Sequence, residues 1–282
     1  MPQDTQWILD VDMQALNASR VGPLIVERMQ REQPVVFEKV CGLATVTGIN
    51  LNHALTALTV CGSGWNTSNV VSHIVGRSAF TQICRDRLSA SLTVSAYGPY
   101  ELFAWTRGAL SMAVSQPEAG MLIVAEPARL KNALDVYAGR GKACDASRFQ
   151  FVSAPRRNAF ARFEARDVAA LFQQDQSPYG LVLRYFSTLD GCALEADNQI
   201  RLTVRGFAAT PEAAQEAAQL VRTLVALSQM NAAKASDLCS VLRALQIEQE
   251  GAQVRCHIAL PVEQVKVLFK DERAGTTHTA RR

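Results

Sequence analysis

Four histidines, at positions 53, 73, 257 and 278, are the first residues to test for chemistry. None has a second histidine or a glutamate at the spacing a metal site needs, so no metal and no cofactor is expected. His53 lies beside apolar residues in a short predicted helical turn. His73 and His257 fall inside predicted strands, and His278 sits in a polar tail. Asp10 and Asp12 are two residues apart at the end of an apolar run, on one face if the strand continues. They could serve as paired carboxylates, although Asp12 is also well placed to cap the helix that starts after it. A hydrolase-like reading would assemble a site from Asp12, His53 and His73. Gly62-Ser63-Gly64 lacks the Gly-Lys of a phosphate loop and the outer glycines of a nucleophile elbow. It also leads to a strand where both motifs need a helix, and reads as a hairpin turn, Gly62 to Asn66.

The aromatic residues carry a second kind of chemistry. Tyr97 and Tyr100 flank Gly98-Pro99, and Phe103 and Trp105 share one face of the next strand. Core packing competes with a contact role, because aromatic side chains are enriched at interfaces. These four are the candidate ligand or partner contacts, toward an unknown protein or a small apolar ligand.

The elements that must hold these residues follow from periodicity. Trp7–Val11 predicts a strand leading to a helix from Asp12, and Val21–Glu32 predicts a further helix. Leu55–Cys61 and Asn69–Gly76 predict a hairpin, followed by a helix over 78–88. Four strands then follow, 91–97, 100–106, 109–115 and 120–126, the last two joined through Pro117-Glu118-Ala119. Pro127 opens a helix with Leu130, Ala133, Leu134 and Tyr137 on one face. Beyond a polar stretch, Phe160–Ala165 predicts a strand and Asp167 the start of a helix. Leu189–Ala196 and Gln199–Gly206 pair across Asp197-Asn198, with a glycine break at Gly206. A long helix follows, capped by Thr210 with Pro211 first. Its buried face is Ala214, Ala217, Ala218, Val221, Leu224 and Val225. A helix at about 235–245, a hairpin across Glu250-Gly251 and a last helix from Pro261 complete the order.

Both halves therefore read strand, helix, hairpin, helix, hairpin, helix. Three ordered landmarks recur: Asp12 with Asp167, Val75-Gly76 with Arg205-Gly206, and Glu126-Pro127 with Leu260-Pro261. The expected fold is α+β: two repeats of a mainly antiparallel sheet with helices packed on one face. The first repeat spans 1–140, a linker 141–158, the second repeat 159–273 and a disordered tail 274–282.

Pro2 and Asp4-Thr5, Val11–Leu16 (VDMQAL), Gly48–Leu51 (GINL), the Arg-Gly before a helix and Thr210–Leu220 (TPEAAQEAAQL) together resemble a duplicated family of bacterial proteins of unknown function. The resemblance spans most of residues 2–270. It implies a location outside the cytoplasmic membrane, behind a leader or anchor, and no established activity.

Composition bounds the rest. With 282 residues, 48% hydrophobic and 20% charged, the chain can bury one large core or two modest ones. A net charge of +3, with no basic block before Arg281-Arg282, gives no support for nucleic-acid binding. No apolar run reaches the roughly 20 residues that span a bilayer. The start, MPQDTQWILDVDM, lacks the regions of a signal peptide. The seven scattered cysteines predict free thiols and no structural disulfide. These two features point to the cytoplasm, where the family resemblance points to the envelope. The function expected is a non-enzymatic binding or scaffold protein, with the hydrolase and a small-ligand or lipid carrier as alternatives.

Overall fold

The computed structural model describes residues 1–32, 55–64, 71–78, 92–107, 110–145, 147, 149, 159–231 and 237–275. The chain divides into two compact units, Met1–Ala18 with Val26–Pro155, and Ser19–Ile25 with Arg156–Arg282. Each is an antiparallel sheet with helices, so the α+β expectation holds.

In the first unit, strand β1 (Trp7–Asp12) runs into helix α1 (Met13–Ala18), and α2 (Gly22–Glu32) follows, its first turn counted with the second unit. The Asp12 Oδ1 accepts from the Ala15 N–H at 2.9 Å, which is the N-cap expected. Strands β2 (Leu55–Ser63), β3 (Val71–Ser78), β4 (Thr93–Tyr97), β5 (Tyr100–Arg107), β6 (Leu110–Glu118) and β7 (Met121–Ala125) precede helix α3 (Pro127–Tyr137). The sheet order is β1-β2-β3-β7-β6-β5-β4.

Two turn positions differ from expectation. Gly62 and Ser63 stay in β2, because Gly62 is paired on both sides, with Trp7 and Ser72, and Ser63 pairs with Val71. Pro117 stays in β6, at a register shift between Ser115 and Glu118. A bulge leaves one residue out of the ladder, which is where a proline without an N–H is tolerated. Of the predicted helix at 78–88, Ser78 ends β3 and the rest lies outside the described residues.

Helix α3 packs Leu130, Ala133 and Leu134 on Leu102, Ala113, Ile123 and Ala125. The alternate residues of the same strands, Phe103, Trp105, Met112, Val114, Leu122 and Val124, are buried too. Strand β7 is thus apolar on both faces, which explains its unbroken Met-Leu-Ile-Val-Ala where a half-buried strand would alternate. A second cluster gathers Ile8, Cys61, Cys144 and Phe149. The Ala143–Pro2 bridge and the 2.8 Å bond from the Cys144 N–H to the Met1 carbonyl hold the start of the expected linker against the N-terminus. Burial pushes the Cys61 thiol up to about 11. Cys61, Cys144, Cys192 and Cys256 are free thiols.

The second unit contains β8 (Ala159–Arg166), α4 (Val168–Leu171), α5 (Pro178–Leu183), β9 (Phe186–Ala196), β10 (Gln199–Ala208), α6 (Pro211–Asn231), α7 (Asp237–Ala244), β11 (Gln246–Glu250), β12 (Gln253–Pro261) and α8 (Val262–Gly275). The sheet order is β8-β9-β10-β12-β11. Asp197 and Asn198 both take left-handed φ, 51° and 60°, as a two-residue hairpin turn of the primed kind demands. Glu195 on β9 accepts from the Ser19 hydroxyl (2.7 Å) and from the Arg20 backbone N–H and Nε (2.9 and 2.7 Å). These bonds anchor the segment that places Val21 against Leu260, Val262 and Val265.

Gly206 is no break. Strand β10 continues to Ala208, and a Cβ at Gly206 would stand 2.6 Å from the Phe186 ring. The glycine makes room for an aromatic side chain. Pro261 is likewise the last residue of β12, and α8 begins at Val262. Helix α5 is absent from the expected order, although Ser177 caps it with a 3.0 Å bond from the Gly180 N–H and Pro178 opens it.

Helix α6 begins as expected, with the Ala213 N–H donating to the Thr210 hydroxyl at 3.2 Å. Ala214, Ala217 and Ala218 are fully buried, and Val221, Leu224 and Val225 only half so. Ala218→Leu should therefore overpack the contact and cost about 1–3 kcal/mol. Gln219→Leu, adding the same side chain on the exposed face, should move stability by no more than about 0.5 kcal/mol. Denaturant midpoints of the two variants check this, and equal losses would mean the helix is turned the other way.

Candidate functional site

The predicted aromatic set divides by depth. Phe103 and Trp105, on β5, are 3% and 7% exposed and belong to the buried face of the first sheet. Tyr97 and Tyr100 are half-buried at the tip of the β4–β5 hairpin, facing the α3 side. The tip is a two-residue turn in which Gly98 takes φ +58°, a value suited to glycine at the first central position. With both tyrosines in register across it, their rings extend toward the C-terminal end of α3.

That helix end is built by its own cap. The Arg140 N–H donates to the Asp135 carbonyl at 2.8 Å, and the Gly139 N–H donates to the Val136 carbonyl at 3.1 Å. Gly139 sits at φ +73°. This is the paired bonding of a Schellman cap, and it folds Arg140 back over the last turn. The Arg140 guanidinium reaches the Asp135 carboxylate through Nε (3.2 Å) and Nη2 (2.9 Å). The Tyr97 hydroxyl donates to the other oxygen of that carboxylate at 2.7 Å. The Tyr137 hydroxyl donates to Glu118 at 2.9 Å, and the Tyr137 ring meets Tyr100 edge-on, with centroids 6.2 Å apart. Lys131 Nζ stands 5.5 Å from the centre of the Tyr97 ring, within cation–π range.

Three tyrosine rings are thus held in place, Tyr97 and Tyr137 by their hydroxyls and Tyr100 by its edge contact with Tyr137, which is itself 40% exposed. The charges follow from the bonds. The hydrogen bond to Asp135, then burial, raises the Tyr97 phenol above its ordinary value. The hydrogen bond to Glu118 does the same for Tyr137. The bonds from Tyr97 and then Arg140 hold the Asp135 carboxyl below the usual carboxylate range. At neutral pH the patch presents neutral phenols ringed by Lys131, Asp135, Arg140 and Glu118. Such a surface offers ring area and polar edges with few rotamers left to freeze.

The helical period puts Tyr137 on the packed face of its helix and does not single out Asp135. The available signal was the pair Gly139 and Gly141 just after the helix, which marks a cap and so a helix end where side chains gather. The hydrolase set does not assemble from what is described. Asp12 is committed to its cap, and Asp10 accepts from the Thr59 hydroxyl at 3.0 Å. His53 lies outside the described residues, as does the side chain of His73. His257 is half-buried on β12, opposite Thr203.

No protein-family model matches the chain, and no curated protein matches it. Among solved structures it is similar to crystal form I of TP0453, with a TM-score of 0.51 and 10% identity, covering 96% of this chain and 94% of that one. Crystal form IV of TP0453 gives a TM-score of 0.49 at 11% identity, covering 94% of each chain. At such identity the likeness is one of fold. Among the described residues no helix is long and apolar enough to cross a membrane.

The hydrogen bonds set a pH signature. With its phenol raised, Tyr97 adds stability that is complete below the ordinary tyrosine range and lost as pH rises through its own higher value. Asp135→Asn should bring the Tyr97 ionisation down toward the ordinary range and leave that of Tyr137 raised. An absorbance titration of tyrosinate, with Tyr97→Phe and Tyr137→Phe for assignment, checks this. An unmoved Tyr97 would mean that another group holds its proton.

Proposed function

We propose that the protein is a non-enzymatic binding or scaffold protein of the bacterial cell envelope, and that it engages a protein partner through the tyrosine end of its first unit. The observation that carries the reading is the pre-organisation of Tyr97, Tyr100 and Tyr137. Aromatic anchors fixed before contact lose little entropy on binding, which is how a small patch can dominate an interface. Phe103 and Trp105 serve beneath the hairpin, fixing the strand that presents Tyr100. The envelope location rests on the resemblance of the sequence motifs.

The frame suits such a role. We read the chain as a duplication. The order β8-β9-β10-β12-β11 repeats β1-β2-β3-β7-β6, strand for strand, and β5-β4 is an addition to the first copy. The tyrosine end is built on that addition. A scaffold that gains one hairpin in one copy acquires a surface its sister lacks.

The test is comparative capture. Immobilised wild-type protein and Tyr137→Ala are exposed to native membrane and cytosolic extracts, with thermal melting confirming that both are folded. A protein retained by the wild type and reduced at least about tenfold by Tyr137→Ala, as for a hot-spot residue, is the expected result. Identical retention by both forms would remove the tyrosine end as the binding surface.

A further inference from the structure

Among the described residues, the outermost strand of the first sheet has one side without a neighbouring strand. Strand β4 ends the sheet order and, among the described residues, pairs only with β5. Thr93 to Ala96 are exposed, Val94 at 52%. Exposed edges are ordinarily protected by lysine, proline, a bulge or inward charge. Thr-Val-Ser-Ala-Tyr has none of these, and its pairing with β5 runs without a register shift. The opposite case is in the second unit. Its edge strand β11, Gln-Ile-Glu-Gln-Glu, would set Glu248 against Glu248 if two copies paired about their centres.

The backbone fixes which groups are open. Tyr97 and Tyr100 flank the two-residue turn and so exchange both their hydrogen bonds. Alternation then turns Ser95 toward Leu102 and Thr93 toward Ala104. The N–H and C=O groups of Val94 and Ala96 are left pointing outward. These two residues lie symmetrically about Ser95.

We infer that β4 pairs with β4 of a second copy of this chain, antiparallel, about a two-fold axis at Ser95. Val94 then faces Ala96 of the other copy on each side, giving four backbone hydrogen bonds. Ser95 faces Ser95 in the non-bonded position between them. The neutral strand brings no like charges together, and the symmetric spacing of its open groups lets one surface serve both partners, as a closed two-fold contact requires. Thr93 lies opposite Tyr97 of the other copy, a β-branched residue beside an aromatic ring. Five residues a side give a contact smaller than a permanent interface, so the dimer is weak and forms by mass action. The inference uses the β4 backbone and does not depend on the tyrosine surface binding another protein.

Sedimentation velocity over a concentration series tests it on the full chain. Wild type should shift from monomer to dimer as concentration rises. Val94→Pro removes one outward N–H per copy and leaves the β4–β5 bonds in place, so it should weaken the dimer at least about fivefold without lowering the melting temperature. Ser95→Lys and Ser95→Asp should each weaken self-association on the order of twofold to fivefold, and a mixture of the two should recover it. Tyr137→Ala should dimerise like wild type whatever its effect on partner capture. A wild type that remains monomeric at the highest attainable concentration overturns the proposal. So does a Val94→Pro that dimerises undiminished, or a Lys/Asp mixture that associates no better than either variant alone.

Discussion

The second unit depends on how closely ring and backbone can approach across its sheet. A Cβ at Gly191 would stand 2.3 Å from the Phe163 ring and 2.7 Å from the Thr203 carbonyl, and one at Gly206 would meet the Phe186 ring at 2.6 Å. Gly191 is opposite Val204 and Gly206 opposite Leu189, so both glycines lie on one face, the face of Ile200 and Val204. Two phenylalanine rings lie where side chains of β9 and β10 would otherwise project. Above the same framework α6 presents alanine, the smallest residue that still favours a helix. Small residues let neighbouring atoms approach closely, and dispersion between closely packed atoms offsets the missing side-chain volume.

The first unit solves the same problem with volume. Its strands β6 and β7 are apolar on both faces, and α3 covers one of them with leucine. Five of the first unit's seven strands thus follow the order of the second unit's five, with different interiors. Sheet order is set by which backbone edges find one another and by the turns between them. The filling between sheet and helix can change so long as volume and patterning are kept.

Much of this was legible because the signals are local. Thr210-Pro211 and Glu126-Pro127 mark helix starts through cap geometry and the missing proline N–H, and Asp197-Asn198 marks a hairpin through its tolerance of left-handed φ. The alanine face of α6 followed from the helical period alone. What misled were residues whose type has two physical uses. Gly206 has the type of a break and is a seat for Phe186, a contact twenty residues away in the chain. Pro117 has the type of a turn residue and is held in a bulge. Gly139, near the end of the first repeat, is the cap that folds Arg140 over Asp135. The tyrosine end was half legible. Tyr97 and Tyr100 are set by the hairpin, but Tyr137 and Asp135 meet them only because α3 returns across β6 and β7. No spacing in the sequence encodes that return.

The turn at Gly98 has a consequence of its own. A Cβ there would find nothing within 4 Å, so room is plentiful and the constraint is handedness alone. At φ +58° an ordinary residue is strained, whereas its mirror image is relaxed. Gly191 and Gly206 are the reverse, with no room for a methyl group on the side an L-residue would place it. In a chemically synthesised chain, a D-alanine at Gly98 would therefore hold the hairpin in its native bend and remove freedom from the unfolded state. Glycine serves at this tip as an achiral stand-in for a residue of the opposite hand.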